Sequence, residues 1–320
     1  MPLPSDEKLI ALANEILAAF EKAFGPHAGF RPAHAKGILL QGTFTPSPDA
    51  VSLTRAPHVL RTSTPVTARF SDATGLPMIA DNDSNAGPRG LAIRFQLAEH
   101  VHTDIIGHSV DGFPVRTGQE FLEFLLAAGT SRPGTPSPTP IEKFFGARPA
   151  ALAFARAAQL APSSFAREAY FPVVTYKFVN KEGVGRYGRY QIMPDAGVDH
   201  LNDATLKRTS SDYLFDELNQ RIAAGPIGFS IHVQVAGGED IVDDATVHWP
   251  KERPVIPFGK VVLTGIVPDN AREQQKIIFD PIPRVDGIEP SADPLLELRA
   301  AVYLLSGRRR RQADSLSTTA

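Results

Sequence analysis

Arg299 and Tyr303 stand four residues apart near the end of the chain, and His34 lies near its start within Arg31-Pro32-Ala33-His34-Ala35-Lys36-Gly37. The first pair falls in a run of helical period, where Leu295, Leu296, Leu298, Val302 and Leu305 favour one side. A helix would bring Arg299 and Tyr303 onto one face, one turn apart. A guanidinium that close favours the ionised phenol, and a metal favours it far more. Ligation by a phenolate is therefore the chemistry this pair suggests. Arg-x-x-x-Tyr is a weak signal alone, since most such tyrosines are ordinary core or surface residues. His34, flanked by alanines, reads in isolation as a structural histidine.

The elements that must position these residues are mostly strands. Thr64 to Phe70 and Gly90 to Leu97 alternate apolar and polar residues, as half-buried strands do; Gly37 to Thr45, with Ile38, Leu40 and Thr43 around glycines, and Thr103 to Ile106 are expected as strands beside them. Helices are expected over Gln119 to Ala128 and Ile141 to Ala161, separated by the proline-rich loop Arg132 to Pro140. Strands return at Val174-Thr175-Tyr176-Lys177-Phe178 and Tyr187 to Met193. A helix over about Ala204 to Ala224 precedes strands at Ile227 to Ala236 and Val255 to Val267. An amphipathic helix opens the chain, from Pro4-Ser5-Asp6 to Gly25-Pro26, with Leu9, Ile10, Leu12, Ile16, Leu17 and Phe20 as its stripe. Eight antiparallel strands with inserted and flanking helices give an α+β chain whose sheet closes as a barrel able to hold one ligand. No repeat or linker divides it. A single domain is expected: an N-terminal helix over 1–29, a core over 30–311, and a small polar tail over 312–320 that reads as disordered.

Composition narrows the function. The chain has 320 residues, 42% hydrophobic and 21% charged, which suits a globular protein with a real core. A formal net charge of -2 gives no reason to expect nucleic acid or an anionic membrane as partner. With Cys 0, disulfides, thiolate-ligated iron, iron–sulfur clusters and thiol peroxidase chemistry are excluded together. No signal peptide or membrane-spanning run is read, so the cytoplasm is the expected compartment. A homodimer is the first guess for assembly, two-fold pairs being the commonest.

Read as an ordered set, the residues resemble the haem catalase family, at the reduced length of its catalase-related peroxidase branch. The set runs through His34-Ala35-Lys36-Gly37, Gly42 and Phe44, Thr64-Pro65-Val66 with Arg69-Phe70-Ser71, Pro88-Arg89-Gly90, and Asp104-Ile105-Ile106-Gly107. It continues with Asp212-Tyr213-Leu214-Phe215, Gln234, His248-Trp249-Pro250, Phe279-Asp280-Pro281, and Gly287-Ile288-Glu289 through Asp293-Pro294 to Arg299 and Tyr303. An ordered match over about residues 30 to 311 is far more specific than any one motif.

The resemblance implies a catalase-like eight-stranded barrel holding one buried haem b with ferric iron. Tyr303 would be its proximal ligand, as tyrosine is in catalase, and Arg299 would keep it ionised. His34 would be the distal general base, working near the ordinary histidine pKa of about 6.5, with Ser71 fixing its ring. Arg31, Arg69 and Arg310 would pair with the haem propionates, and Phe113 and Phe121 would pack on the porphyrin. Without the family, Ser71 is a strand-end serine, Arg31 and Arg69 are surface charges, the two phenylalanines are core, and Arg308 to Arg311 dress a helix C-terminus.

The chain also departs from the family. His108 stands where catalases carry an asparagine that orients peroxide; it is either a replacement distal group or a residue turned into the barrel wall. The C-terminal helical domain and long N-terminal arm of the large members have no counterpart, and nothing places an NADPH. Both departures favour a peroxidase that reduces hydrogen peroxide or organic hydroperoxides with a small organic electron donor. The rivals are a small catalase, a hydroperoxide-rearranging isomerase, and a haem carrier without turnover.

Overall fold

Apolar runs, alternating cleanly in β7, build β1 (Gly37–Pro46), β2 (Thr64–Ser71), β3 (Gly90–Ala98), β4 (Val101–His108), β5 (Tyr176–Val179), β6 (Gly185–Pro194), β7 (Ile227–Val235) and β8 (Val255–Ile266). A ninth, β9 (Ile288–Pro290), is too short to carry a period and was not expected from the sequence. The computed structural model describes residues 3–157 and 160–317, apart from the side chains of 314–317. All pairings are antiparallel, in the order β4-β3-β2-β1-β8-β7-β6-β5-β9. The curled sheet is closed by two adjacent residues: Phe171 bridges His108 at the end of β4, and Tyr170 bridges Ile192 in β6.

Inside the curl, Phe44, Phe70, Phe95, Phe165, Phe178, Phe229 and Phe258 are wholly buried with Tyr170. An eight-stranded interior is just wide enough for side chains to fill. The barrel lumen is therefore packed, and any ligand must sit outside its wall.

The helices are α1 (Glu7–Phe24), α2 (Gly118–Thr130), α3 (Pro140–Ala147), α4 (Pro149–Arg156), α5 (Asp203–Leu206), α6 (Tyr213–Ala224), α7 (Asn270–Lys276) and α8 (Pro294–Ser317). Asp6 caps α1 by accepting from the backbone N–H groups of Lys8 and Leu9, and a Thr117/Glu120 capping box starts α2. Ala13, Ile16, Leu122, Leu298 and Ala301 join α1, α2 and α8 in a second small core.

Three boundaries differ from those the sequence suggests. The helix expected over Ile141 to Ala161 is two helices, because Pro149 forces Arg148 into extended backbone (φ -136, ψ 90). The helix expected over Ala204 to Ala224 is also split. Its middle is held by Asp81, whose N–H donates to Ser211 O (2.7 Å) and whose carboxylate receives Leu214 N–H (2.8 Å). Finally, α8 runs through Gln312 to Ser317, within the tail read as disordered; residues 318–320 lie outside the described residues. No described helix is long and apolar enough to cross a membrane.

Candidate active site

Strand register sets the floor of the site. Ser71 pairs with Gly90 and Gly90 with His108, while Arg69 pairs with Ala92 and Ala92 with Ile106. These two rows share the outer face of the barrel, since their neighbours Phe70, Leu91 and Ile105 belong to the inner core. Helices α1, α2 and α8 roof this face. The cavity between holds about 1410 Å³ of empty space, open solvent at its mouth included. Arg31, His34, Arg69, Ser71, His108, Phe113, Phe121, Arg299, Tyr303 and Arg310 all line it.

His34 precedes β1 in left-handed backbone, φ 56. Its main chain is held on both sides: the N–H donates to Ala73 O (2.8 Å) and the C=O accepts from Arg69 Nη2 (2.9 Å). The ring Nδ1 lies 3.1 Å from Ser71 Oγ. It rests over Gly90, where a Cβ would come within 2.6 Å of Ser71 Oγ and 2.8 Å of Nδ1. Burial first, then the charges of Arg69, His108 and Arg31, push the imidazole pKa down to about 3. That lies well below the near-neutral value expected from the sequence. The ring is thus held neutral, and a carboxylate beside Arg69 and Arg31 would lift it again.

On α8, Nε and Nη2 of Arg299 each donate to the Tyr303 phenol oxygen at 3.3 Å. Nη2 also lies 3.5 Å from Ile106 O on the barrel wall. Burial opposes the Arg299 charge, but Tyr303 and Tyr176 outweigh it and raise the guanidinium above its ordinary range. Two donors of one guanidinium thus converge on a single phenol oxygen.

Arg31, Arg69 and Arg310 converge at the cavity with main-chain and neutral partners. Arg31 donates to Gln274 O (3.0 Å) and Ile277 O (3.1 Å), and Arg69 Nε to Gln274 Oε1 (2.9 Å). Arg310 donates to Ser306 Oγ (2.9 Å) and Ile277 O (2.9 Å), while its Nε is buried with no partner. Among the described residues, none of the three is paired with a carboxylate. Burial and mutual repulsion lower Arg31 well below its ordinary pKa and bring Arg69 down to about 9; burial, then Arg311, brings Arg310 to about 10. Such a cluster could hold an anionic ligand. The basic run does not dress a helix end, because α8 continues past it.

Sequence reasoning missed α7 and Gln274. The helix is short and polar, with no apolar stripe to announce it. Yet Gln274 joins Arg31, Arg69 and the Gly37 carbonyl (2.9 Å from its Nε2) in one network. His108 lines the cavity and does not turn into the barrel core. The rings of Phe113 and Phe121 pack at 5.6 Å and 32°.

A model of the family described as Catalase matches residues 14–316. The chain belongs to the catalase family. Among relatives, it is 33% identical over 306 residues to a catalase-related peroxidase of Mycolicibacterium paratuberculosis, covering 94% of this chain and 95% of that one. It is 32% identical over 303 residues to a catalase-related peroxidase of Synechococcus elongatus, covering 93% and 88%. The crystal structure of a fungal catalase superposes with TM-score 0.78 at 25% identity, covering 92% of this chain and 61% of that one. The α+β catalase fold, with its curled antiparallel sheet, is thus shared, and membership in the catalase family implies haem binding.

Proposed function

We propose that this protein is a haem peroxidase in which Tyr303 ligates the iron of haem b and a small organic donor reduces the oxidised enzyme. Membership in the catalase family makes it an oxidoreductase acting on peroxide. Likeness to two catalase-related peroxidases over nearly their whole lengths favours donor oxidation over disproportionation. One observation carries the reading. The Arg299–Tyr303 pair, with both donors at 3.3 Å, lines the same cavity as a neutral His34.

The residues fit a haem. A phenol held by a forked guanidinium suits a ferric ligand, and three buried arginines, one with an orphaned Nε, suit two propionates. Phe113 and Phe121 offer apolar area for the porphyrin. When bound, haem supplies an iron centre that takes up the oxidising power of the peroxide. Arg299 aims Nε and Nη2 at the Tyr303 phenol oxygen, the atom that would hold the iron. His34, neutral and oriented by Ser71, takes the proton from the peroxide hydroxyl and returns it to the departing oxygen. Propionates paired with Arg31 and Arg69 would offset two of the charges that, after burial, lower the His34 pKa.

The test is oxygen evolution measured beside oxidation of a phenolic donor, on haem-replete protein given hydrogen peroxide or an organic hydroperoxide. Donor oxidation with little oxygen is expected. Rapid oxygen release with poor donor oxidation would make this a small catalase, and no turnover of either kind would sink the enzyme reading. His34→Ala is expected to retain haem and to react with peroxide roughly 100-fold more slowly or worse, the usual range for a positioned acid–base group.

A further inference from the structure

A second cavity lies farther along the outer face of the barrel, with about 1200 Å³ of empty space, open solvent included. Its floor is the next cross-strand row: Gln41 pairs with Thr67, and Thr67 with Arg94. Side chains alternate along a strand, so this row shares a face with Arg69 and Ala92, two residues away. A β-bulge shapes one edge. Gln41 pairs with Gly265 and Gly42 with Leu263, which leaves Thr264 of β8 as an extra residue bordering the cavity. Bulges re-aim side chains and recur beside functional sites. Glycine is needed at 42, where a Cβ would come within 2.1 Å of Val262 O.

A wall one chain thick separates the two cavities. Ile277 borders the second, while Ile278 and Phe279 border the first. Arginines pin this segment from both sides. Arg31 and Arg310 donate to Ile277 O (3.1 and 2.9 Å), Arg311 to Lys276 O (2.9 and 2.6 Å), and Arg94 Nη2 to Ile278 O. Consecutive residues of α8 therefore serve opposite cavities, Arg310 the first and Arg311 the second. The second lining is cationic: Arg94, Lys276 and Arg311 border it against one carboxylate, Glu273, which pairs with Lys276 at 2.8 Å. Arg94 commits Nε and Nη2 to Asp104 (2.9 and 2.7 Å). Its Nη1 makes no hydrogen bond among the described residues, yet is not sealed from solvent. Arg311 likewise leaves Nη1 over, and among the described residues no carboxylate pairs with it.

We propose that this second cavity binds the electron donor, and that the donor is a small phenolic acid whose carboxylate is held by Arg311, Lys276 and Nη1 of Arg94. This rests on the peroxidase reading and names its donor class. Unused guanidinium and ammonium donors beside a surplus of positive charge favour a carboxylate over a neutral molecule. Each donor gives one electron across the wall of residues 276–279, releases its phenol proton to water and leaves as a phenoxyl radical. Two donors supply the two electrons that, with two protons from solvent, return the oxidised enzyme to rest and release one water.

Proton NMR of haem-replete protein without peroxide tests this apart from turnover, because ferric iron speeds the relaxation of a molecule held near it. 4-Hydroxyphenylacetate and p-cresol share the phenol and differ in charge. The acid should bind about tenfold or more tightly than p-cresol, the usual effect of a hydrogen bond to a charged group. Arg311→Gln should weaken the acid by about tenfold and p-cresol by less than about threefold. Thr264→Trp fills the cavity from its exposed edge and should weaken the acid by about tenfold or more. Neither residue borders the first cavity. Equal affinity for the two phenols, an acid indifferent to both substitutions, or an Arg311→Gln loss shared equally by p-cresol overturns the proposal. Failure of the peroxidase reading would look different: the acid binds and responds to both substitutions as expected, yet peroxide oxidises none of it.

Discussion

Gly90 is the residue on which the proposed acid–base arrangement depends, because the imidazole and its serine partner occupy the place of a side chain. A Cβ there would lie 2.8 Å from His34 Nδ1 and 2.6 Å from Ser71 Oγ. Both groups are tied to rigid backbone, so neither can yield without loss of their mutual hydrogen bond. Gly90→Ala is expected to keep haem and slow the reaction with peroxide by about tenfold or more, a small displacement of a catalytic group being costly. Stopped-flow absorbance of the haem band checks it, and an unchanged rate would show that the His34–Ser71 contact is dispensable. Tyr303→Phe removes the phenol oxygen that receives both donors of Arg299 and leaves the buried guanidinium with only its long contact to Ile106 O. It is expected to lose haem or hold it far more weakly. Retained haem with an unaltered charge-transfer band would refute the ligand assignment.

At the scale of elements, the barrel core carries one polar group that is a liability. His58 is buried among Phe44, Phe95 and Phe258, at ring-centroid distances of 5.9, 4.9 and 5.7 Å, and its Nδ1 has no partner. Burial, then the charge of Arg61, lowers its pKa from 6.5 to about 3. In the window between those values the unfolded chain binds a proton that the folded one refuses. Its contribution to stability is intact above pH 6.5 and is lost progressively as pH falls toward 3, by about 1.4 kcal/mol per pH unit. His58→Leu removes this loss. Denaturant unfolding of the haem-free proteins should show the variant gaining on the parent by about 2 kcal/mol between pH 6.5 and 5. An equal difference at both pH values would mean that His58 already carries a proton in the fold.

The whole molecule is arranged around uncompensated charge. Arg31, Arg69 and Arg310 come from the N-terminal segment, a strand and the last helix, and only tertiary structure brings them together. Ile277 O accepts from both Arg31 (3.1 Å) and Arg310 (2.9 Å), so removing Arg310 leaves that carbonyl bonded. Arg310→Met should therefore leave the melting temperature of the haem-free protein unchanged or higher. Haem affinity should fall by about tenfold or more, since hydrogen bonds to charged groups are worth roughly 1.5–3 kcal/mol. Calorimetry paired with a haem titration separates the two effects. A variant that loses stability yet keeps its haem affinity would show the cluster to be structural.

Sequence alone determined eight of the nine strands, because apolar patterning is a local signal, and it put Arg299 and Tyr303 on one helical face, because that spacing is local too. The ordered motifs named the family and singled out residues that prove to share one cavity. Local patterning could not show that the barrel lumen is filled and the cavity lies outside its wall, since both faces of β2 and β3 are largely buried. Nor could it reveal α7, whose Gln274 organises the arginines from a segment without apolar period. The lowered pKa of His34 was beyond reach for the same reason: burial and the charges of Arg69 and Arg31 exist only once distant segments meet. Whether His108 faced the site or the wall was decided by register, which sets it in one row with Ser71 and Gly90 on the outer face.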